Sequence, residues 1–364
     1  MGLVRGFMDL FDTSGSGYAR TKDLNLEALV KRLEGKTQCL CGTLIPAGQT
    51  EHYRIYTAAM EIHKKVLVRV YWPTATNARG TVKYPGEMIC SEAATLRFLK
   101  CKNLSIPVPT PICYDDDLDG RVGGAWIVTS FVKGDILANR IHDLTQTDLQ
   151  NLRTALEHVY IKILQTTGTE FAAIGSIRDE ANPLVHRQCG YTMGSMMFCP
   201  SDTTPLLCLE GSGPFSSARD WLLAVMDHRR EGNLGDVREQ PERHEENRVM
   251  VLNAVKEYDR VPLTSLVLEH VNFGPSNILV DPGDPTKIVG ILGWAGARVV
   301  PFWGLEFFSN EKEWSDCGLV FRHAVMRRFS DGTWYDEDLL AVAWYARKWH
   351  LLKDMDGVLP LRYN

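Results

Sequence analysis

The chain has no run approaching about 18 uninterrupted apolar residues, which excludes a spanning helix. It carries no Lys/Arg block of nucleic-acid-binding density, and 40 basic against 45 acidic residues leave a formal net charge of -5, so a polyanion partner is not indicated. Its nine cysteines show no CxxC…CxxC or CxxC…HxxxH spacing, which removes the common zinc modules. An odd number scattered through a long chain fits reduced thiols of a cytosolic compartment. No apolar run with a small-residue cleavage site follows Met1 to Asp12, where Asp9 and Asp12 interrupt the apolar residues. A myristoylation signal is missing too, because Gly6 stands where Ser or Thr is needed. No internal repeat is found. These absences lead to the expectation of a cytoplasmic protein that binds neither membrane nor nucleic acid.

What is present is the composition of an ordinary globular protein, 45% apolar and 23% charged, over 364 residues. That length exceeds one typical core and predicts two lobes. Residues 1–37 read as an N-terminal extension ending in an amphipathic helix from Leu24 to Leu33. Within it Asp12, Ser14, Ser16, Gly17 and Asp23 have the spacing of a calcium loop but too few carboxylates, so the segment reads as a Gly/Ser-rich turn. Residues 38–133 read as a small lobe with strands at Tyr53–Tyr56, Val66–Tyr71 and Trp126–Phe131 and one helix, Ser91–Lys100. Residues 134–364 read as a larger, mainly helical lobe, with helices at Asp148–Thr166, Ala218–Arg230 and Asn247–Tyr258. Arg229–Arg248 mixes both signs of charge with Gly232, Gly235 and Pro241 and reads as a solvated loop. The stretch 185–213 has no clear period.

The most informative segment runs from Leu266 to Phe307. It contains His270, then Asn277-Ile278-Leu279-Val280, then Gly290-Ile291 and Trp294, and then the stretch Pro301–Glu306. Upstream stand Leu67-Val68-Arg69-Val70, Glu92, Tyr84-Pro85-Gly86-Glu87, Ile106-Pro107-Val108-Pro109 and Phe131-Val132-Lys133-Gly134. Ile174-Gly175-Ser176 and Gly213-Pro214-Phe215 follow in the second lobe. Together they resemble the aminoglycoside phosphotransferase and choline kinase family, in its fungal-type form, over most of the chain. The resemblance implies an α+β, bilobal, protein-kinase-like fold with a β-rich N-lobe and a larger helical C-lobe. It also implies that Arg69 faces the phosphates of a bound nucleotide and pairs with Glu92.

The departures concern the chemistry. Where the family's catalytic aspartate follows the histidine by two residues, this sequence has Asn272; where the metal-holding aspartate precedes the tryptophan, it has Gly293. Asparagine accepts a hydrogen bond but is no base at neutral pH. Losing a positioned base costs about 10²–10⁴ in rate, and loss of a metal ligand adds several kcal/mol. A turnover of about 1–100 s⁻¹ then falls to the order of 10⁻⁴ s⁻¹ or lower. The stretch from Gly42 to Tyr53, aligned with the nucleotide loop, holds Pro46, which lacks a donor, and Glu51, a like charge for phosphate. No cofactor and no metal are therefore expected, with ATP and Mg²⁺ disfavoured. Neither Glu269, which alternation points away from the side His270 faces, nor Asp281, a turn residue, is an evident replacement acid.

Three functions remain. The first is a repurposed enzyme of cyclase, isomerase or lyase type, acting on a small hydrophobic molecule of specialised metabolism. In it His270, Glu269 and Asn272 carry acid–base steps, and Asn277, Phe273, Trp294 and Trp303 line the substrate. Beside each stands a structural role: His270 as a brace of its loop, Trp294, Trp303 and Phe307 as core, and Arg69 with Glu92 as an ion pair. The second is a non-catalytic pseudokinase that binds a ligand or partner, and the third is a weak ATP-dependent phosphotransferase.

Overall fold

A computed structural model describes residues 24–49, 53–71, 85–102, 104–117, 119–167, 171–179, 191–194, 213–233, 266–305 and 311–321, with 245–246, 248–249, 252–253 and 324–325. The calcium-loop-like turn of 12–23, Tyr84, Glu51 and most of 185–213 lie outside these residues, as do Glu306, Phe307 and most of 229–258.

The first lobe is a five-stranded antiparallel sheet in the order β1-β2-β3-β5-β4. The strands are β1 (Ile45–Gln49), β2 (Tyr53–Met60), β3 (Lys64–Tyr71), β4 (Pro111–Asp115) and β5 (Trp126–Ser130). Alternation along β3 sorts its two faces. Val66, Val68 and Val70 are fully buried against helix α1 (Leu26–Thr37) through Leu29 and Leu33. Lys65, Leu67 and Arg69 take the opposite face. α1 starts where Asn25 Oδ1 accepts the Ala28 amide at 3.0 Å, and it ends at Gln38 in the left-handed region (φ 54°). β1 was not anticipated, because Pro46 and Gly48 break any strand pattern. It is an exposed edge strand with a register shift between those two residues, where both are tolerated.

Helix α2 (Pro85–Cys101) begins six residues before the expected Ser91, with Pro85 in its first turn. It joins both lobes. Ile89 and Ala93 pack on Tyr71, Ala125 and Ile127 of the first, and Leu96, Phe98 and Leu99 belong to the apolar core of the second. Arg97 pairs with Asp179, and Arg178 pairs with Glu87, tying α2 to the hairpin β7 (Ser176–Asp179)/β8 (Tyr191–Gly194).

The second lobe follows the hinge Phe131–Gly134. Its described helices are α3 (Leu137–Arg140), α4 (Gln146–Leu164), α5 (Ala218–Asn233) and α6 (Glu311–Asp316). α4 opens on a capping box, with Thr145 and Asp148 bonding each other's backbone amides. Its strands form three small sheets. β11 (Asp284–Ile291), β10 (Ile278–Asp281) and β6 (Asp135–Ile136) make one, β9 (Leu266–Glu269) pairs with β12 (Arg298–Pro301), and β7 pairs with β8. The fold class, α+β and two-lobed, is as expected. No helix among the described residues is long and apolar enough to cross a membrane.

Candidate functional site

The cleft lies between the inner face of the first sheet and the β10/β11 hairpin of the second lobe. Its two ends differ. At the hinge end a cavity of about 150 Å³ is roofed by Ile45, Ala47 and Leu67, floored by Leu279 and Leu292, and bounded by Phe131. Gly134 makes the hinge's close approach possible: a Cβ there would stand 2.7 Å from Val289 Cγ2 and 3.0 Å from the Val280 carbonyl. Lys65 sits at the rim, with its Nζ 3.9 Å from the centroid of the Phe131 ring. This pocket was missed in the sequence because its lining comes from seven separate segments that share no pattern.

At the other end Arg69 pairs with Glu92 of α2, as the sequence led one to expect. The guanidinium also lies within 5.8 Å of the Tyr53 ring centroid and 6.0 Å of that of Tyr71, and it bonds the Tyr71 hydroxyl at 3.4 Å. Burial pushes both phenols above their usual range. Although burial opposes its charge, the neighbouring Glu92 carboxylate helps hold Arg69 firmly protonated. The cation is thus partnered inside the lobe.

The loop after β9 places the remaining candidates. His270 is 1% exposed, and its ring donates from Nε2 to the Leu292 carbonyl at 2.7 Å. A carbonyl can only accept, so the neutral ring is protonated on Nε2, leaving Nδ1 buried and without a hydrogen-bond partner among the described residues. Desolvation lowers its pKa to about 4, so the ring is uncharged near neutrality. Trp294 stands edge-on to His270 at 4.5 Å, and Phe273 packs on Tyr160 at 4.8 Å. Both belong to the second lobe's core rather than to the pocket wall. Glu269 is fully buried and bound to Arg298 Nε at 2.7 Å across the β9–β12 pair. The structure therefore does not bring Glu269, His270 and Trp294 together with the hinge cavity. Trp303 lies in the short 3₁₀ turn Phe302–Gly304, and its side chain is outside the described residues.

Asn272 is exposed, and its backbone carbonyl accepts from Asn277 Nδ2 at 2.9 Å. Asn277 Oδ1 occupies the space beside Gly293: a Cβ on Gly293 would be 2.7 Å from that oxygen and 2.9 Å from Cγ. Gly293 itself has φ 77°, a region that L side chains enter at a cost of about 1–2 kcal/mol. Asp281, the other acid nearby, turns its Oδ1 to the Gly283 amide at 2.9 Å in the β10–β11 turn. A magnesium ion bound to triphosphate needs carboxylate oxygens. At this corner the donors are the neutral amides of Asn272 and Asn277, so the residues do not fit that ion.

Among solved structures the chain is similar to aminoglycoside phosphotransferase APH(4)-Ia in ternary complex with AMP-PNP and hygromycin B. The TM-score is 0.51 at 13% identity, over 88% of each chain. A candidate aminoglycoside phosphotransferase of Ralstonia eutropha JMP134 gives 0.50 at 10% identity, over 89% of this chain and 86% of that one. The fold is that of the aminoglycoside phosphotransferases. At such identities the likeness establishes the phosphotransferase fold and nothing of the activity. No family model matches the sequence. Among curated proteins, altered inheritance of mitochondria protein 9 of Candida tropicalis is 26% identical over 148 residues, 39% of this chain. The match spans 23% of that relative's length.

Proposed function

We propose that this chain uses the phosphotransferase fold to hold a small molecule in its cleft and does not transfer phosphate. The observation that carries the reading is the corner where Asn277 fills the space beside Gly293. The space a second carboxylate would need is taken, the backbone there is left-handed, and the residue two beyond His270 is a neutral amide. The complexes of APH(4)-Ia with AMP-PNP and hygromycin B describe what that protein binds; here the hinge end of the cleft is open, while the other end has Asn272 and Gly293 in place of carboxylates.

Of the two fates a ligand can meet, retention without chemistry is the better supported. Acid–base catalysis by His270 and Glu269 requires both to reach the ligand, but Glu269 is committed to Arg298 and His270 to Leu292, with both side chains buried. The cyclase, isomerase or lyase reading would need other residues to act.

Thermal unfolding of the full chain with Mg-ATP tests the proposal. The expected result is no saturable shift in Tm at millimolar nucleotide and no labelled phosphate passed to any hydroxylated acceptor. Magnesium-dependent, saturable stabilisation accompanied by ATP turnover would overturn it.

A further inference from the structure

We infer that the hinge pocket takes a small planar aromatic acid, its ring in the apolar slot and its carboxylate on Lys65. The inference rests on the reading of the cleft as a non-phosphorylating binding site and names the ligand class.

Shape comes first. The cavity lies between Leu67 of β3 and two leucines of the opposite lobe, Leu279 and Leu292, with the Phe131 ring at one side, so an apolar ring finds apolar contacts above, below and beside it. Its volume of about 150 Å³ matches engineered apolar cavities that admit benzene, so one ring or a compact fused pair fits.

Charge comes second. Lys65 is the one ionisable residue in the lining, and among the described residues no carboxylate pairs with it. Its ammonium rests on the Phe131 face at 3.9 Å, which keeps it at the rim and within reach of a group leaving the slot. Thr57 of β2, diagonal to Lys65 in the β2–β3 register, adds a hydroxyl to the same wall. By contrast Arg69, farther along the same face of β3, already has Glu92. One unpartnered cation at the rim matches a single carboxylate, whereas a triphosphate would bring several charges to a wall offering one. Lys65 is exposed and water screens its charge, so the pair contributes about two- to fivefold in affinity.

Isothermal titration of the full chain with indole-3-carboxylate, with indole and with Mg-ATP tests this. The acid is expected to bind about two- to fivefold more tightly than indole. Lys65→Met, which keeps the apolar stem, should erase that difference, and Ala47→Phe, which sends a ring into the slot from the exposed edge strand, should abolish both. Circular dichroism melts matching wild type confirm that each variant folds. Equal affinity for acid and indole, an acid affinity unchanged by Lys65→Met, or binding that survives Ala47→Phe each overturns the assignment. If neither aromatic binds, this ligand class is wrong while the phosphate-free reading stands. Mg-ATP that competes with the acid and is turned over removes both.

Discussion

One cleft has been treated in two ways. At the hinge, Leu67, Leu279 and Leu292 leave a cavity open, and the single cation beside it, Lys65, is unclaimed by any described carboxylate. At the catalytic-loop end the described polar side chains are mostly held by the protein itself: Arg69 by Glu92, Glu269 by Arg298, His270 Nε2 by the Leu292 carbonyl and Asn277 by the Asn272 carbonyl. The lesson is that the frame of a phosphotransferase can persist when its acids are gone, because most of the motif's side chains support packing. Buried charges need partners wherever they sit, and here those partners come from the protein itself.

The comparison breaks most visibly at Glu269. If its role is to neutralise Arg298, Glu269→Gln should cost about 3 kcal/mol in urea unfolding, since it removes the negative charge facing a buried guanidinium. A variant of wild-type stability would instead return Glu269 to the list of candidate catalytic groups.

His270 offers a pH test of the same idea. Its folded pKa of about 4 lies below the ordinary histidine value of 6.5, so the unfolded chain binds the extra proton first as pH falls. Stability from this group is whole above about pH 6.5 and is lost progressively down to about pH 4, by roughly 3 kcal/mol. Subtracting the profile of His270→Gln from that of wild type should isolate this slope; parallel profiles would show a ring already open to solvent.

A smaller effect is expected at Gly293. Gly293→Asp, alone or with Asn272→Asp, should destabilise the protein by about 1–2 kcal/mol through backbone conformation, and by more if Asn277 cannot move aside. It should not restore phosphate transfer. Measurable kinase turnover in the double variant would mean that the two acids were all that was missing. At the hinge, Ala47→Phe should change stability by about 0.5 kcal/mol or less, because β1 is an exposed edge, and so sharpen the contrast between the two ends.

Much of the frame was legible along the chain. Val66–Tyr71 alternates and Thr145 caps α4, and both features are local consequences of residue order. β1 was hidden by Pro46 and Gly48; α2 was legible from Ser91, and only its opening from Pro85, which carries no apolar period, was not. The site was half legible. Arg69 with Glu92 followed from the family resemblance, whereas the hinge cavity drew on segments from Ile45 to Leu292 that share no pattern.

Residue order alone determined that the motif has an amide at 272 and no side chain at 293, and therefore that the two expected carboxylates are missing. Only tertiary structure decided what took their place. Asn277 fills the space beside Gly293, and Arg298 reaches Glu269 from 29 residues away, because the β9–β12 pairing sets the two strands side by side. Side-chain partnership across strands depends on register and on the turns between them, and neither is written in any single residue.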